Sequence, residues 1–111
     1  MNPAALDAFA LAIVAGGALP TAGGLPDPAG ARTKARQIDE AMGELRKVAP
    51  NAGSYVSESN YFEPYWQRSF WGKNYARLLN VKAKYDPDGL FFTHHGAGSE
   101  AWSADGFVRV S

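Results

Sequence analysis

The sequence predicts an α+β chain with short antiparallel strands and two amphipathic helices, on three observations. Residues Lys34 to Val48 repeat apolar side chains at three and four, and Trp66 to Tyr85 do the same with heavier ones. Three short apolar runs, set between Gly, Pro and Asn clusters, have the length of strands. The chain has 111 residues, enough for one domain at most, since domains run to about 100–200 residues. Apolar residues make up 46% and charged residues 20%, so the chain can build a core and is not disordered throughout. Eleven basic and eleven acidic side chains cancel, leaving no field to draw in a nucleic-acid backbone or an anionic membrane. The absence of cysteine excludes disulfides, thiolate nucleophiles and Cys-containing zinc sites.

Taken in order, Asn2-Pro3 reads as a turn leading into an apolar run from Ala8 to Ala15. Gly16-Gly17 after it gives a loose likeness to a signal peptide, yet no basic residue precedes the run and Asp7 abuts it. The run also falls short of the roughly 20 apolar residues of a membrane span. No membrane association is expected, and the cytoplasm is the default location. Phe9, Leu11 and Ile13 alternate with alanines as a strand would, while Leu6, Phe9, Ala10 and Ile13 form an equally good helical stripe; strand is preferred. Gly16 to about Arg32 is Gly/Pro-rich and reads as a long loop, without the GxGxxG or GxxxxGK[ST] spacing of a phosphate cradle. The helix that follows, Lys34–Val48, places Ile38, Ala41, Met42, Leu45 and Val48 on one face. Arg36 and Glu40 are spaced to pair across one turn. Pro50-Asn51-Ala52-Gly53 stops it.

Ser54 to Asn60 alternates as a short strand. Aromatics then crowd in at Tyr61, Phe62, Tyr65, Trp66, Phe70, Trp71 and Tyr75. Pro64 suits a helix start, and Trp66, Phe70, Asn74, Leu78, Val81 and Tyr85 fall near one face of a helix reaching about Lys84. Asp86-Pro87-Asp88-Gly89 breaks it and feeds the strand Leu90-Phe91-Phe92. The tail from His94 to Ser111 has one large anchor, Trp102. The aromatic band has two explanations: a heavy hydrophobic core face, or a wall against a flat conjugated ligand. Asn74 bears on the choice, because a primary amide on an apolar face must find a partner. Adjacent His94 and His95 make no metal site, since chain neighbours usually point apart and no third ligand suggests itself.

The run Phe70-Trp71-Gly72-Lys73-Asn74-Tyr75-Ala76-Arg77-Leu78-Leu79, then Val81-Lys82, then Tyr85-Asp86-Pro87-Asp88-Gly89-Leu90-Phe91, resembles a known signature, WGxNYxRLxxVKxKYDPxxxF. It belongs to the C-terminal region of berberine-bridge-enzyme-like FAD-linked oxidases, flavoproteins of the vanillyl-alcohol-oxidase type. Gly53-Ser54-Tyr55-Val56-Ser57-Glu58 is similar to the family's G-x-Y-x-N-x strand, and Asn2-Pro3-Ala4 to its NPA turn. The resemblance divides the chain into residues 1–52, a remnant of the substrate domain, and residues 53–111, the berberine-bridge-like C-terminal segment.

The resemblance implies an oxidoreductase that removes hydride from an alcohol, sugar or related small-molecule substrate to flavin N5 while a base takes the hydroxyl proton. By position it places Asn74 and Tyr75 against the flavin, and Tyr55, Glu58 and Tyr75 as the catalytic candidates. A phenol begins near pKa 10, so its use as a base needs a cationic or donor-rich setting. Ser57 stands where the family has asparagine, and His95-Gly96-Ala97-Gly98 stands where it ends in Gln-Ser-Ile-Pro. The family's flavin-phosphate segment and its histidine are missing here. FAD is therefore the implied cofactor without tight binding by this chain, and the implied partner is an FAD-binding domain on another chain or a missing upstream segment. The alternative is a non-catalytic remnant or interaction domain whose aromatic face is structural core.

Overall fold

A computed structural model describes residues 1–17 and 27–110. They form two compact units, Met1–Ala8 with Gly53–Ser111, and Phe9–Ala52. The three helices are α1 (Pro3–Leu6), α2 (Pro28–Val48) and α3 (Tyr75–Tyr85), joined by short 3-10 and π-helical turns. No strand occurs among the described residues; their one β-bridge pairs Trp102 with Arg109. The expected α+β class with antiparallel strands is therefore wrong, and the described chain is helical. Alternation alone does not make a strand, which needs a second segment for its ladder. Ala8–Ala15 has no regular structure and leaves Phe9, Leu11 and Ile13 exposed. Ser54–Asn60 tightens into a 3-10 turn at Val56–Glu58, and Leu90–Phe92 is irregular.

In the second unit, α2 begins six residues before the expected start at Lys34. Asp27 caps it by accepting from the Ala29 amide (3.0 Å), and Pro28 takes the first-turn position. The C-terminal end of the expected Gly16–Arg32 loop is thus helix, while residues 18–26 of that loop lie outside the described residues. The apolar stripe Ile38, Ala41, Met42, Leu45 and Val48 exists, but no residue of α2 is buried. Arg36 donates to Thr33 Oγ1 (3.2 Å), one turn back along the helix rather than forward to Glu40, and Lys47 pairs with Glu44.

The first unit is organised around a polar side chain. Asn2, 8% exposed, donates through Nδ2 to the carbonyls of Arg68 and Ser69, both at 2.9 Å. Its Oδ1 accepts from the Ala4 amide (3.0 Å) and so caps α1. Those carbonyls belong to the π-helical turn Gln67–Trp71, and each also accepts a backbone amide, Arg68 from Gly72 and Ser69 from Ser54 (2.8 Å). The single helix expected from Trp66 to Lys84 is broken here. Gly72 takes φ 53°, and a Cβ on it would lie 2.5 Å from Asn2 Oδ1. Only glycine accepts both the left-handed backbone and that approach. The chain then passes through a 3-10 turn, Gly72–Asn74, into α3.

Phe70, 1% exposed, is the one buried apolar side chain among the described residues. Glu63 is buried beside the π turn, accepting from the Tyr65 amide and Ser69 Oγ (both 3.3 Å). Past α3, Asp86 accepts from the amides of Leu90 (2.8 Å) and Phe91 (3.0 Å) while pairing with Lys82. Lys82 also donates to the Phe91 carbonyl, so the two residues clamp the turn that ends the helix. The hydrogen bond from Lys82 holds the Asp86 carboxyl below its ordinary value of 3.8. Gly89, at φ 69°, lies against the Trp102 indole.

Asn2→Ala removes the second donor from the Arg68 and Ser69 carbonyls, which still accept from the Gly72 and Ser54 amides, and is expected to cost two hydrogen bonds' worth, about 1–3 kcal/mol in total. Gly72→Ala forces a Cβ into the space of Asn2 Oδ1 and is expected to cost a similar amount, about 1–3 kcal/mol. Because the clash disappears when Asn2 is shortened, the double variant should cost clearly less than the sum. Urea unfolding followed by Trp66 and Trp71 emission measures all three.

Candidate functional site

The sequence-derived candidates fall in two places. Tyr55 and Glu58 share one turn, closed by the Glu58 amide on the Tyr55 carbonyl (3.1 Å), with Tyr55 39% exposed and Glu58 exposed. Asn74 and Tyr75 sit where the 3-10 turn becomes α3. No hydrogen bond or ring contact joins the first pair to the second among the described residues.

The Asn74 amide donates to the Met1 carbonyl (3.0 Å). The Tyr75 phenol donates to Glu100 Oε1 and accepts the Gly98 amide (3.2 Å). Burial, followed by the hydrogen bond to Glu100, pushes the Tyr75 phenol up from 10.0 to about 12, against the opposing Gly98 amide. The setting that a phenolate base requires is thus replaced by an anionic acceptor, so Tyr75 is held in its protonated form.

A row of rings runs from Tyr75 across the first unit. Its ring meets Trp66 edge-on (centroids 5.5 Å, 85°), and Trp66 stacks on His95 (5.3 Å, 17°). His95 leans on His94 (3.8 Å), which stacks on Tyr61 (4.0 Å, 11°). Contrary to expectation, the adjacent imidazoles do not point apart, because His95 has φ 59° and the left-handed backbone turns both rings to the same side. The Trp71 indole N–H fixes the His95 carbonyl (3.0 Å), and His94 Nε2 hydrogen-bonds the Tyr61 carbonyl (2.9 Å). Each such ring pair adds about 0.5–1.5 kcal/mol beyond its buried area. Among the described residues no group of three His, Cys, Asp or Glu side chains is arranged to hold a metal. None of their helices is long and apolar enough to cross a membrane.

Glu100, Gly98 and the histidine stack were not singled out from the sequence. They lie in the Gly-rich tail, 23 to 33 residues beyond the rings they meet, and no local periodicity signals such a contact. Asn2 did carry a signal, since an Asn followed by Pro is a helix N-cap followed by its favoured first residue.

Comparison with known proteins finds relatives of part of this chain. Residues 54–97 match the family model described as berberine and berberine like. An uncharacterized FAD-linked oxidoreductase of Arthroderma benhamiae is 49% identical over 66 residues, covering 60% of this chain and 11% of that protein. A VAO-type flavoprotein oxidase of Thermothelomyces thermophilus is 43% identical over 76 residues, 68% of this chain and 13% of that protein. A flavin-dependent oxygenase of Aspergillus ustus is 41% identical over 77 residues, 68% and 14% respectively. No solved structure matches the chain significantly. The chain carries, at residues 54–97, the berberine-like segment of the FAD-linked oxidoreductases. It spans only about a tenth of the length of the curated relatives it matches.

The imidazole of His95 titrates below its ordinary 6.5, chiefly through burial and then through His94, with Glu63 opposing. A ring favoured in its neutral form stabilises the fold fully above 6.5, and that stability is lost as pH falls through the lower folded value. Acidification from neutral pH should therefore lower the urea midpoint and change Trp66 emission. His95→Asn, which tolerates the left-handed backbone but cannot titrate, should remove most of this acid dependence.

Proposed function

We propose that this chain supplies the aromatic wall and the proton-handling side chains of an FAD-linked oxidoreductase, with the flavin held mainly by a domain it does not contain. The supporting observation is that the family match includes Asn74 and Tyr75, which meet at the broken start of α3 beside the row of rings. A side-chain amide, a phenol and two indoles are donors suited to the polar edge and face of a flavin ring. The cavity bordered by Phe91, Gly96, Gly98 and Trp102 has about 150 Å³, below the roughly 300–1,000 Å³ of small-molecule sites.

When bound, a flavin supplies the hydride acceptor for oxidation of an alcohol or sugar carbon. This chain's residues bind, orient and move protons around it. Asn74 would exchange its bond to the Met1 carbonyl for the ring edge, which costs little because that bond is solvent-accessible. Tyr55 and Glu58 would line the substrate side. The other reading, a remnant or interaction domain, draws on the rings' packing against one another, which gives them a structural role without a ligand.

Coexpression with the flavin domain of a berberine-like oxidase separates the two. A yellow complex containing this chain supports the oxidase reading, and Asn74→Ala should then weaken flavin retention about tenfold, one hydrogen bond's worth. A colourless chain that never co-purifies supports the remnant.

A further inference from the structure

Tyr75 poses a chemical problem that the structure itself resolves. A phenol raised to about 12 is a poor base on its own, since almost none is ionised at neutral pH. Yet its proton already points at a carboxylate, Glu100 Oε1, while the Gly98 amide fixes the oxygen from another side. Phenol, carboxylate and amide come from two elements, α3 and the Gly98–Ala101 turn, in which Gly98 has φ 82°. The Tyr75 ring is further held edge-on by Trp66. Among Tyr55, Glu58 and Tyr75, this phenol alone has a proton acceptor in hydrogen-bonding contact among the described residues.

We infer that Tyr75 and Glu100 form a proton relay, in which Glu100 positions the Tyr75 hydroxyl and receives its proton as Tyr75 takes one from a substrate hydroxyl. The substrate O–H bond breaks and its electron pair stays on the substrate oxygen. That proton forms the new O–H on Tyr75, and the original Tyr75 proton passes to Glu100, which becomes a neutral carboxylic acid. Charge moves from Glu100 to the substrate oxygen, and no free phenolate is formed. The step is a proton transfer alone and consumes no oxidant. Glu100 acts through Tyr75 and is a positioning residue; Tyr75 is the group that would touch substrate. The inference rests on the proposed oxidoreductase reading for its substrate, a hydroxyl-bearing molecule, but the pair itself is tested without flavin.

The test is a spectroscopic titration of tyrosinate in the full chain, which has five tyrosines. In the unmodified chain one phenol should titrate near 12, and Tyr75→Phe should remove that step. Glu100→Gln should lower it while burial keeps it above 10.0, and Glu100→Asp should restore part of the shift. A high-pH step unchanged by Glu100→Gln overturns the relay, even where the variant melts earlier, because the relay requires this phenol to donate to that carboxylate. In a complex with a flavin domain, Glu100→Gln should slow flavin reduction by substrate at least tenfold with flavin still bound. An unchanged rate overturns the relay. A complex that binds no flavin overturns the oxidoreductase reading, while the titration still decides whether the two residues are coupled.

Discussion

The first unit depends on one hydrogen-bonding side chain reaching across the sequence. Asn2 gives both its amide protons to the carbonyls of residues 68 and 69 and its oxygen to the first turn of α1. Asn2 adds a second donor to carbonyls that already accept from the Gly72 and Ser54 amides, and so ties the π-helical turn to the start of the chain. With it, the wide turn becomes a stable means of ending one helical direction and starting another. Gly53 and Gly72 both lie so close to Asn2 that neither could carry a side chain without displacing it. A very small apolar core is thus combined with a polar keystone, and hydrogen bonding does organising work usually left to packing.

This keystone changes the meaning of the signature. Trp71 holds the backbone of His95, Gly72 makes room for Asn2, and Lys82 with Asp86 clamps the end of α3. Gly89 turns the chain under Trp102. These positions explain themselves as architecture before any cofactor is invoked. Beside this frame stand Asn74 and Tyr75, adjacent at the start of α3 and each tied by a side-chain hydrogen bond to a distant segment.

How much could be read from the sequence follows from the range of the interactions. The stripe on α2 and the break at Asp86 were legible because they are local. The starts of α1 and α2 were also local, each an acidic or amide residue before proline, but the surrounding Gly/Pro content made them look like turns. The three expected strands failed for a physical reason: alternation describes two faces, and a strand also requires a neighbour that no local pattern reports. The break at Gly72 was hidden because its cause sits 70 residues away at Asn2. At the site, Asn74 and Tyr75 stood out by type and setting, whereas Glu100 is one carboxylate among eleven acidic residues and gains its interest only when the fold brings it to a phenol.

The hydrogen bond between the Asn74 amide and the first carbonyl of the chain has a practical side. Anything joined ahead of Met1 emerges within bonding reach of the Asn74 amide. A purification tag in that place would crowd the amide, so handles for study belong at the opposite terminus.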